Sequence, residues 1–122
     1  MGTMRNIKNV KDALELFEKA AIKQSEAIDK GNSKVANYNY DKMVEVAKFL
    51  RANKSLNELS VFYEHPNISV RLFAAAYLLP AYEKRSLKVL YEISQMRGLE
   101  SLNAEMTIQE WQNGNLRNYY TL

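Results

Sequence analysis

Cysteine is absent from the chain, and histidine and tryptophan occur once each. Without cysteine the protein has neither disulfides nor thiolate metal sites, a composition that suits a reducing compartment. The single histidine, His65, provides neither a histidine-based metal cluster nor a triad that needs a second general base. The four glycines are isolated at positions 2, 31, 98 and 114, so no glycine-rich phosphate loop exists. The inventory argues against an enzyme, and we predict no catalytic residue, cofactor or metal ligand.

Long apolar runs are also missing. The longest extends from Leu72 to Ala76, or to Leu79 when Tyr77 is included, whereas a membrane span needs about 20 residues. The N-terminal residues, Met1 to Asn6, contain no apolar signal core. We therefore expect a cytoplasmic protein that does not enter a membrane.

The length of 122 residues fits a single domain, 1–122, with one core. Hydrophobic residues make up 47% of the chain and charged residues 25%, which is ordinary for a globular protein. The net charge is only +3, and the N-terminal lysines alternate with acidic residues as on the solvated face of a helix. A nucleic-acid footprint usually needs a clustered basic face, so nucleic acid is an unlikely partner.

Apolar residues recur at helical spacing in six segments, and no strand pattern appears. The predicted helices cover residues 10–30, 34–52, 55–64, 68–79, 83–96 and 101–112. Asn9, Ser33 and Asn67 are suited to cap the first, second and fourth helices. Ser55 with Glu58 fits a capping box for the third. The predicted fold class is all-α, with about six helices packed as antiparallel hairpins.

Apolar stripes define the predicted core. In the first two helices they consist of Val10, Leu14, Phe17, Ala21 and Ile28, and of Ala36, Tyr40, Met43, Ala47 and Leu50. The fourth helix is apolar on almost every side, so other helices must cover it. Tyr77 and Tyr91 also fall on core stripes, with their hydroxyls at an edge.

Two polar residues beside the fourth helix have structural interpretations. His65 precedes Pro66 in a turn, where its side chain is expected to hydrogen-bond the main chain near the helix start. Arg71 lies in the first turn of a buried helix, and we expect it to form an ion pair with a carboxylate such as Glu64. Removing one partner of a buried ion pair destabilises a fold by about 3–5 kcal/mol. A structural role is therefore enough to explain an arginine at this position.

The segment from His65 to Leu79, HPNISVRLFAAAYLL, resembles the HEAT-like pattern, in which a polar turn precedes Val-Arg and an alanine-rich inner helix. With SLKVLYEI from Ser86 and MTIQEWQNGNL from Met106, it resembles a family of small bacterial HEAT-like domains. Members of that kind occur among immunity proteins of polymorphic toxins, including contact-dependent growth inhibition systems. The resemblance covers about residues 55–117. It implies a HEAT-like α-α superhelix and no catalytic residues to carry over.

The resemblance implies a binding protein, namely an immunity protein that binds and neutralises a cognate toxin domain. The missing catalytic set agrees with this interpretation. Because the chain is basic, a neutral or acidic toxin surface would fit it best. The alternative is a HEAT-like nucleic-acid-binding module with a basic concave face, whose affinity would fall steeply with salt. The sequence defines neither the toxin nor the oligomeric state.

Two groups of residues are candidate partner-binding sites. In the first, Tyr38 and Phe49 lie opposite the core stripe of the second helix, near Asp41 and Glu45. Either that helix is buried on both faces, or its aromatic side chains anchor a partner. The second group is C-terminal and consists of Trp111, Tyr119 and Tyr120. At its helical spacing from Ile108, Trp111 also fits a packing role.

Overall fold

The computed structural model describes residues 7–116 and contains six helices in that range. A 3-10 helix, Leu56–Phe62, lies between the second and third of five α-helices, which are α1 (Val10–Asp29), α2 (Ser33–Ala52), α3 (Ile68–Tyr77), α4 (Glu83–Ser94) and α5 (Leu99–Gln112). Strands are absent from residues 7–116, so the predicted all-α class is confirmed. Every helix in this range is too short or too polar to span a membrane.

Asparagine side chains cap the first three α-helices, at Asn9, Asn32 and Asn67. Each Oδ1 accepts a hydrogen bond from the main-chain N–H three residues later, at 2.8, 3.1 and 3.1 Å respectively. The predicted cap at Ser33 is wrong, because Ser33 is already the first helical residue. Gly31 ends the preceding turn with a φ of 71°, a conformation that glycine adopts without strain. The following Asn32 is therefore in place to cap α2.

The first of two compact units spans Met1–Glu58 and contains α1 and α2. The short connection between the two helices makes them an antiparallel hairpin. Phe17, Met43 and Leu50 fill its core without measurable exposure. Small side chains around them shorten the distance at which the helices pack, and these are Ala13, Ala20, Ala21, Ala27, Ala36 and Ala47.

Two members of the predicted core stripes in this unit are exposed to solvent. Ile28 is 39% exposed and Tyr40 is 36% exposed, whereas the neighbouring Ala27 and Asn39 are buried. The prediction fails because alanine favours close helix packing, and the larger side chains then point outward. The Nδ2 of the buried Asn39 donates a hydrogen bond to the carbonyl of Val35 at 3.0 Å, while its Oδ1 has no hydrogen-bond partner among residues 7–116.

The second unit spans Leu59–Leu122 and contains α3, α4 and α5. As predicted, α3 is covered on nearly all sides, since every residue from Ser69 to Leu79 except Arg71 is buried. Both α4 and α5 contact it. A buried hydrogen bond of 2.6 Å between the hydroxyls of Tyr63 and Ser86 joins the segment before α3 to α4. Whether the units act as a single domain stays a prediction.

The predicted third helix is present as a short 3-10 helix. Two further local predictions are wrong, and the first is the Ser55–Glu58 capping box, which does not form. The hydroxyl of Ser55 instead donates to the carbonyl of Asn53 at 3.0 Å, a local bond that competes with capping. Tyr91 is 62% exposed, because Leu90 and Ile93 occupy the core side of α4.

Candidate functional site

The outer face of α5 carries three exposed apolar side chains. Leu99, Leu102 and Met106 are 53%, 56% and 63% exposed. Their spacing of three and four residues places them on one face of the helix. We call these three residues the α5 outer stripe. Scattered surface leucines are normal, but a continuous exposed apolar row marks a candidate interaction surface.

The opposite face of α5 is attached to the rest of its unit. Ala104 is fully buried there. At the C-terminal end, the indole Nε1 of Trp111 donates a hydrogen bond to Oε2 of Glu83 at 2.8 Å, which joins α5 to the start of α4. Near the N-terminal end, the hydroxyl of Ser69 contacts Oε2 of Glu100 at 3.4 Å. The outer stripe therefore sits on a helix held along its other side.

The ionisable side chains of α5 are all acidic. Glu100, Glu105 and Glu110 lie on the helix, which contains neither lysine nor arginine. Glu105 is exposed, next in sequence to Met106. Glu110 accepts a hydrogen bond from Nδ2 of Asn115 at 2.9 Å. The local charge of α5 is thus opposite in sign to the +3 of the whole chain.

The first predicted group lies together on the outer face of α2. Tyr38, Asp41, Glu45 and Phe49 follow one another at spacings of three and four, opposite the buried stripe. Tyr38 is 57% exposed, and the ammonium of Lys42 lies 4.5 Å from the centroid of its ring. Phe49 and Glu45 are half-buried. This face mixes aromatic groups with charges of both signs, and its role in binding stays a prediction.

The second predicted group is only partly described. Trp111 is half-buried in the second unit, and its hydrogen bond to Glu83 gives it the packing role that the sequence left open. Tyr119 and Tyr120 lie outside the described residues. The structure therefore does not bring these three residues together as one described surface.

A second candidate site is a cleft in the second unit with a volume of about 300 Å³. Its lining residues come from the segments around α3 and α4, and are Tyr63, Glu64, Arg71, Arg85, Lys88, Val89 and Glu92. The Arg85 guanidinium lies over the Tyr63 ring, 4.5 Å from its centroid. Burial raises the pKa of the Tyr63 hydroxyl, while its hydrogen bond with Ser86 and the charge of Arg85 act in the opposite direction. We call this site the α3–α4 cleft.

Arg71 departs from its predicted role. Its Nε is buried without a hydrogen-bond partner among residues 7–116, although Glu64 lines the same cleft. Glu64 is exposed to solvent, where a carboxylate is well hydrated and gains little from pairing. The predicted Arg71–Glu64 ion pair is therefore wrong.

His65 has the structural role predicted for it. Its Nδ1 accepts a hydrogen bond from the main-chain N–H of Asn67 at 2.9 Å. The imidazole also meets the Phe62 ring edge to face, with centroids 5.7 Å apart. Within residues 7–116, no three histidine, aspartate or glutamate side chains lie close enough together to hold a metal ion.

Sequence reasoning missed both the α5 outer stripe and the α3–α4 cleft. The stripe had a readable signal, because Leu99, Leu102 and Met106 follow a helical repeat separate from the one that contains Ala104 and Trp111. The α3–α4 cleft had no such signal in the sequence, since its formation depends on which side chains of the two helices meet.

The chain belongs to a family described as a domain of unknown function, DUF2019, whose model matches residues 11–110. It is also similar to the protein RPA1889 from Rhodopseudomonas palustris, whose crystal structure superposes with a TM-score of 0.83. That match covers 89% of this chain and 93% of the other at 24% sequence identity, and it shows a common fold. No protein of curated function matches the chain.

Proposed function

We propose that this chain is a protein-binding module that docks a basic partner through the α5 outer stripe. The finer form of the proposal is an immunity protein that neutralises a cognate toxin domain. The observation that carries it is the exposure of 53–63% at Leu99, Leu102 and Met106 on one face of an attached helix.

Burial of the outer stripe supplies the binding energy. Full burial of one leucine or methionine side chain contributes about 1.5–3 kcal/mol, and the stripe offers three such side chains over half exposed. Helices that dock into grooves use anchors at this repeat of three and four residues. Because α5 is held along its other face, little order has to be imposed on it during binding.

The charge of α5 selects the kind of partner. Glu105 is exposed beside the stripe, and no lysine or arginine of α5 offsets its glutamates. A protein surface with lysine or arginine around an apolar patch is complementary to this arrangement. A second copy of the chain docked through α5 would instead bring glutamates toward glutamates. The net charge of the chain favours a neutral or acidic toxin, but the local charge at the stripe favours a basic one.

The HEAT-like arrangement is part of the same proposal. A capped polar turn leads into α3, which is buried on nearly every side, and α4 and α5 pack against it. In stacked helical repeats, the outer face of one repeat is where its neighbour packs. We propose that the toxin domain packs at this position.

The nucleic-acid alternative rests on Arg71, Arg85 and Lys88, which line the α3–α4 cleft. Glu64 and Glu92 line the same cleft and oppose a polyanionic backbone. The cleft volume of about 300 Å³ also suits a smaller ligand. We therefore retain the protein-binding proposal.

The experiment compares Met106→Asp with Val61→Asp. Both parent side chains are 63% exposed, but Val61 lies in the 3-10 helix and outside the stripe. Each variant is co-expressed with the product of the gene immediately upstream, and growth and complex formation are measured. We expect protection and a stoichiometric complex with the wild type and with Val61→Asp. Met106→Asp should bind at least about tenfold more weakly, a loss of roughly 1.4 kcal/mol.

Equal binding by Met106→Asp and the wild type would contradict docking through α5. A harmless upstream product that forms no complex would remove the immunity interpretation. Light scattering of the purified wild-type chain tests self-association. A dimer that Met106→Asp dissociates would replace the basic partner with a second copy of the chain.

A further inference from the structure

We propose that the α3–α4 cleft binds a phosphate group, either free or carried by a small molecule. The proposal does not depend on docking through α5, because a different set of side chains carries it. Its basis is the meeting of Arg71, Arg85 and Lys88 around one small cavity.

Arg71 contributes a donor that residues 7–116 leave without an acceptor. Its Nε is buried and has no hydrogen-bond partner among the described residues. Buried N–H groups are almost always satisfied, so this N–H is available to an acceptor that a ligand brings. An oxyanion in the cleft would supply that acceptor.

Arg85 is held in place before any ligand arrives. Its guanidinium lies over the Tyr63 ring, 4.5 Å from the centroid. The ring is anchored in turn, because the Tyr63 hydroxyl forms a buried hydrogen bond of 2.6 Å with Ser86. A guanidinium positioned in this way can donate two parallel N–H hydrogen bonds to a planar or tetrahedral oxyanion.

The charges around the cleft favour an anion. Three cations line it against two carboxylates, and Arg71 is the one half-buried charge among these five residues, the other four being exposed. Lys88 lies three residues after Arg85, on the same side of α4. Two arginines and a lysine around about 300 Å³ have the size and charge to hold a phosphate and part of an attached group.

The cleft in the first unit provides a contrast. It is slightly larger, about 350 Å³, and is lined by Lys8, Asp12, Glu15, Leu16 and Lys19. Its lysines and carboxylates are equal in number, and it contains no arginine. We therefore expect phosphate to bind in the second unit and not in the first.

The test is a titration of the ¹⁵N-labelled chain with inorganic phosphate, followed by NMR at the arginine Nε–H signals and the main-chain amides. We expect a saturable shift of the Arg71 Nε–H signal and of amides around Lys88. Lys88→Gln should weaken binding about tenfold, since it removes one charge-assisted contact. The matched control is Lys84→Gln, an exposed lysine of the same helix that does not line the cleft, and it should bind as the wild type does.

Arg71→Lys provides a second variant, which keeps the charge but loses the guanidinium fork, and it should also weaken binding. A wild-type titration without saturable shifts would overturn the proposal. Equal weakening by Lys84→Gln and Lys88→Gln would do the same, because it would show only general charge attraction. Parallel titration with acetate separates the anion classes, and saturation by acetate but not by phosphate would contradict the assignment.

Discussion

Two helices of the second unit differ in how their apolar residues are used. In α3 every side chain except those of Ile68 and Arg71 is buried. In α5 only Ala104 is buried, while Leu99, Leu102 and Met106 are more than half exposed. Both helices are rich in apolar residues, but only in α3 do nearly all of them lie in the core. The difference shows that the fold packs one face of α5 and leaves the other exposed; the exposed face is the one proposed to dock a partner.

The largest expected effect separates leucines of the two helices. Leu72 of α3 is 2% exposed, whereas Leu102 of α5 is 56% exposed. Leu72→Ala should lower the free energy of unfolding by about 2–5 kcal/mol, because it removes buried methyl groups and leaves a cavity. Leu102→Ala should change it by less than about 0.5 kcal/mol. Urea denaturation at an unchanged m-value measures both.

A loss of more than about 2 kcal/mol in Leu102→Ala would place that side chain in the core and remove the distinction between the helices. If Leu72→Ala unfolded at the same urea concentration as the wild type, α3 would not be the buried centre of its unit.

A smaller effect distinguishes the starts of the two helices. Asn67 caps α3 through a 3.1 Å hydrogen bond, whereas Gly98 precedes α5 without a side-chain cap. Asn67→Ala should cost about 1 kcal/mol of stability. Asn57→Ala, at an exposed position that caps no helix, is the control and should be nearly neutral. Equal stabilities of the two variants would argue against a capping role for Asn67.

The attachment of α5 to α4 predicts a further loss of stability. Trp111→Phe keeps an aromatic ring but removes the Nε1–H that donates to Glu83. Because this bond is exposed, the expected loss is about 0.5–1 kcal/mol. A double-mutant cycle with Glu83→Ala, which removes the acceptor, measures the coupling between the two side chains. Additive losses would show that the indole does not fasten α5 through Glu83.

The smallest expected effect concerns Tyr63, which should make the free energy of unfolding depend on pH in the alkaline range. Burial raises its pKa in the folded protein above the ordinary value of 10.0. The unfolded chain therefore loses this proton first, and the contribution of Tyr63 is fully present below about pH 10 and declines as the pH rises through the folded pKa. Denaturation at pH 8 to 11 should show a shallower decline in Tyr63→Phe than in the wild type. Identical slopes would mean that folding does not shift this pKa.

Local features of the fold were predictable from the sequence. Asn9 and Asn67 cap their helices as expected, because capping depends on a side chain and a main-chain N–H three residues apart. The burial of α3 followed from its lack of a polar face. Ile28 and Tyr40 were misplaced because hydropathy does not show which side of an alanine-rich interface is closest.

The candidate sites depended on information that the sequence lacks. The sequence left open whether Tyr38 is buried or exposed on the side of α2 opposite the core stripe, and the structure shows it 57% exposed. The unpartnered Nε of Arg71 was not foreseeable, since a sequence does not say whether Glu64 turns toward solvent or toward the arginine. The outer stripe follows a readable helical repeat, but the sequence does not show whether that face of α5 or the face with Ala104 and Trp111 is the packed one.

The most direct test of the central claim is site-specific photo-crosslinking in living cells from positions 102 and 61. We expect a crosslink from position 102 to the product of the upstream gene, and none from position 61. The same product should lose its toxicity when the wild-type chain is present. Crosslinking to that product from position 61 or from Tyr38, with none from position 102, would contradict docking through α5.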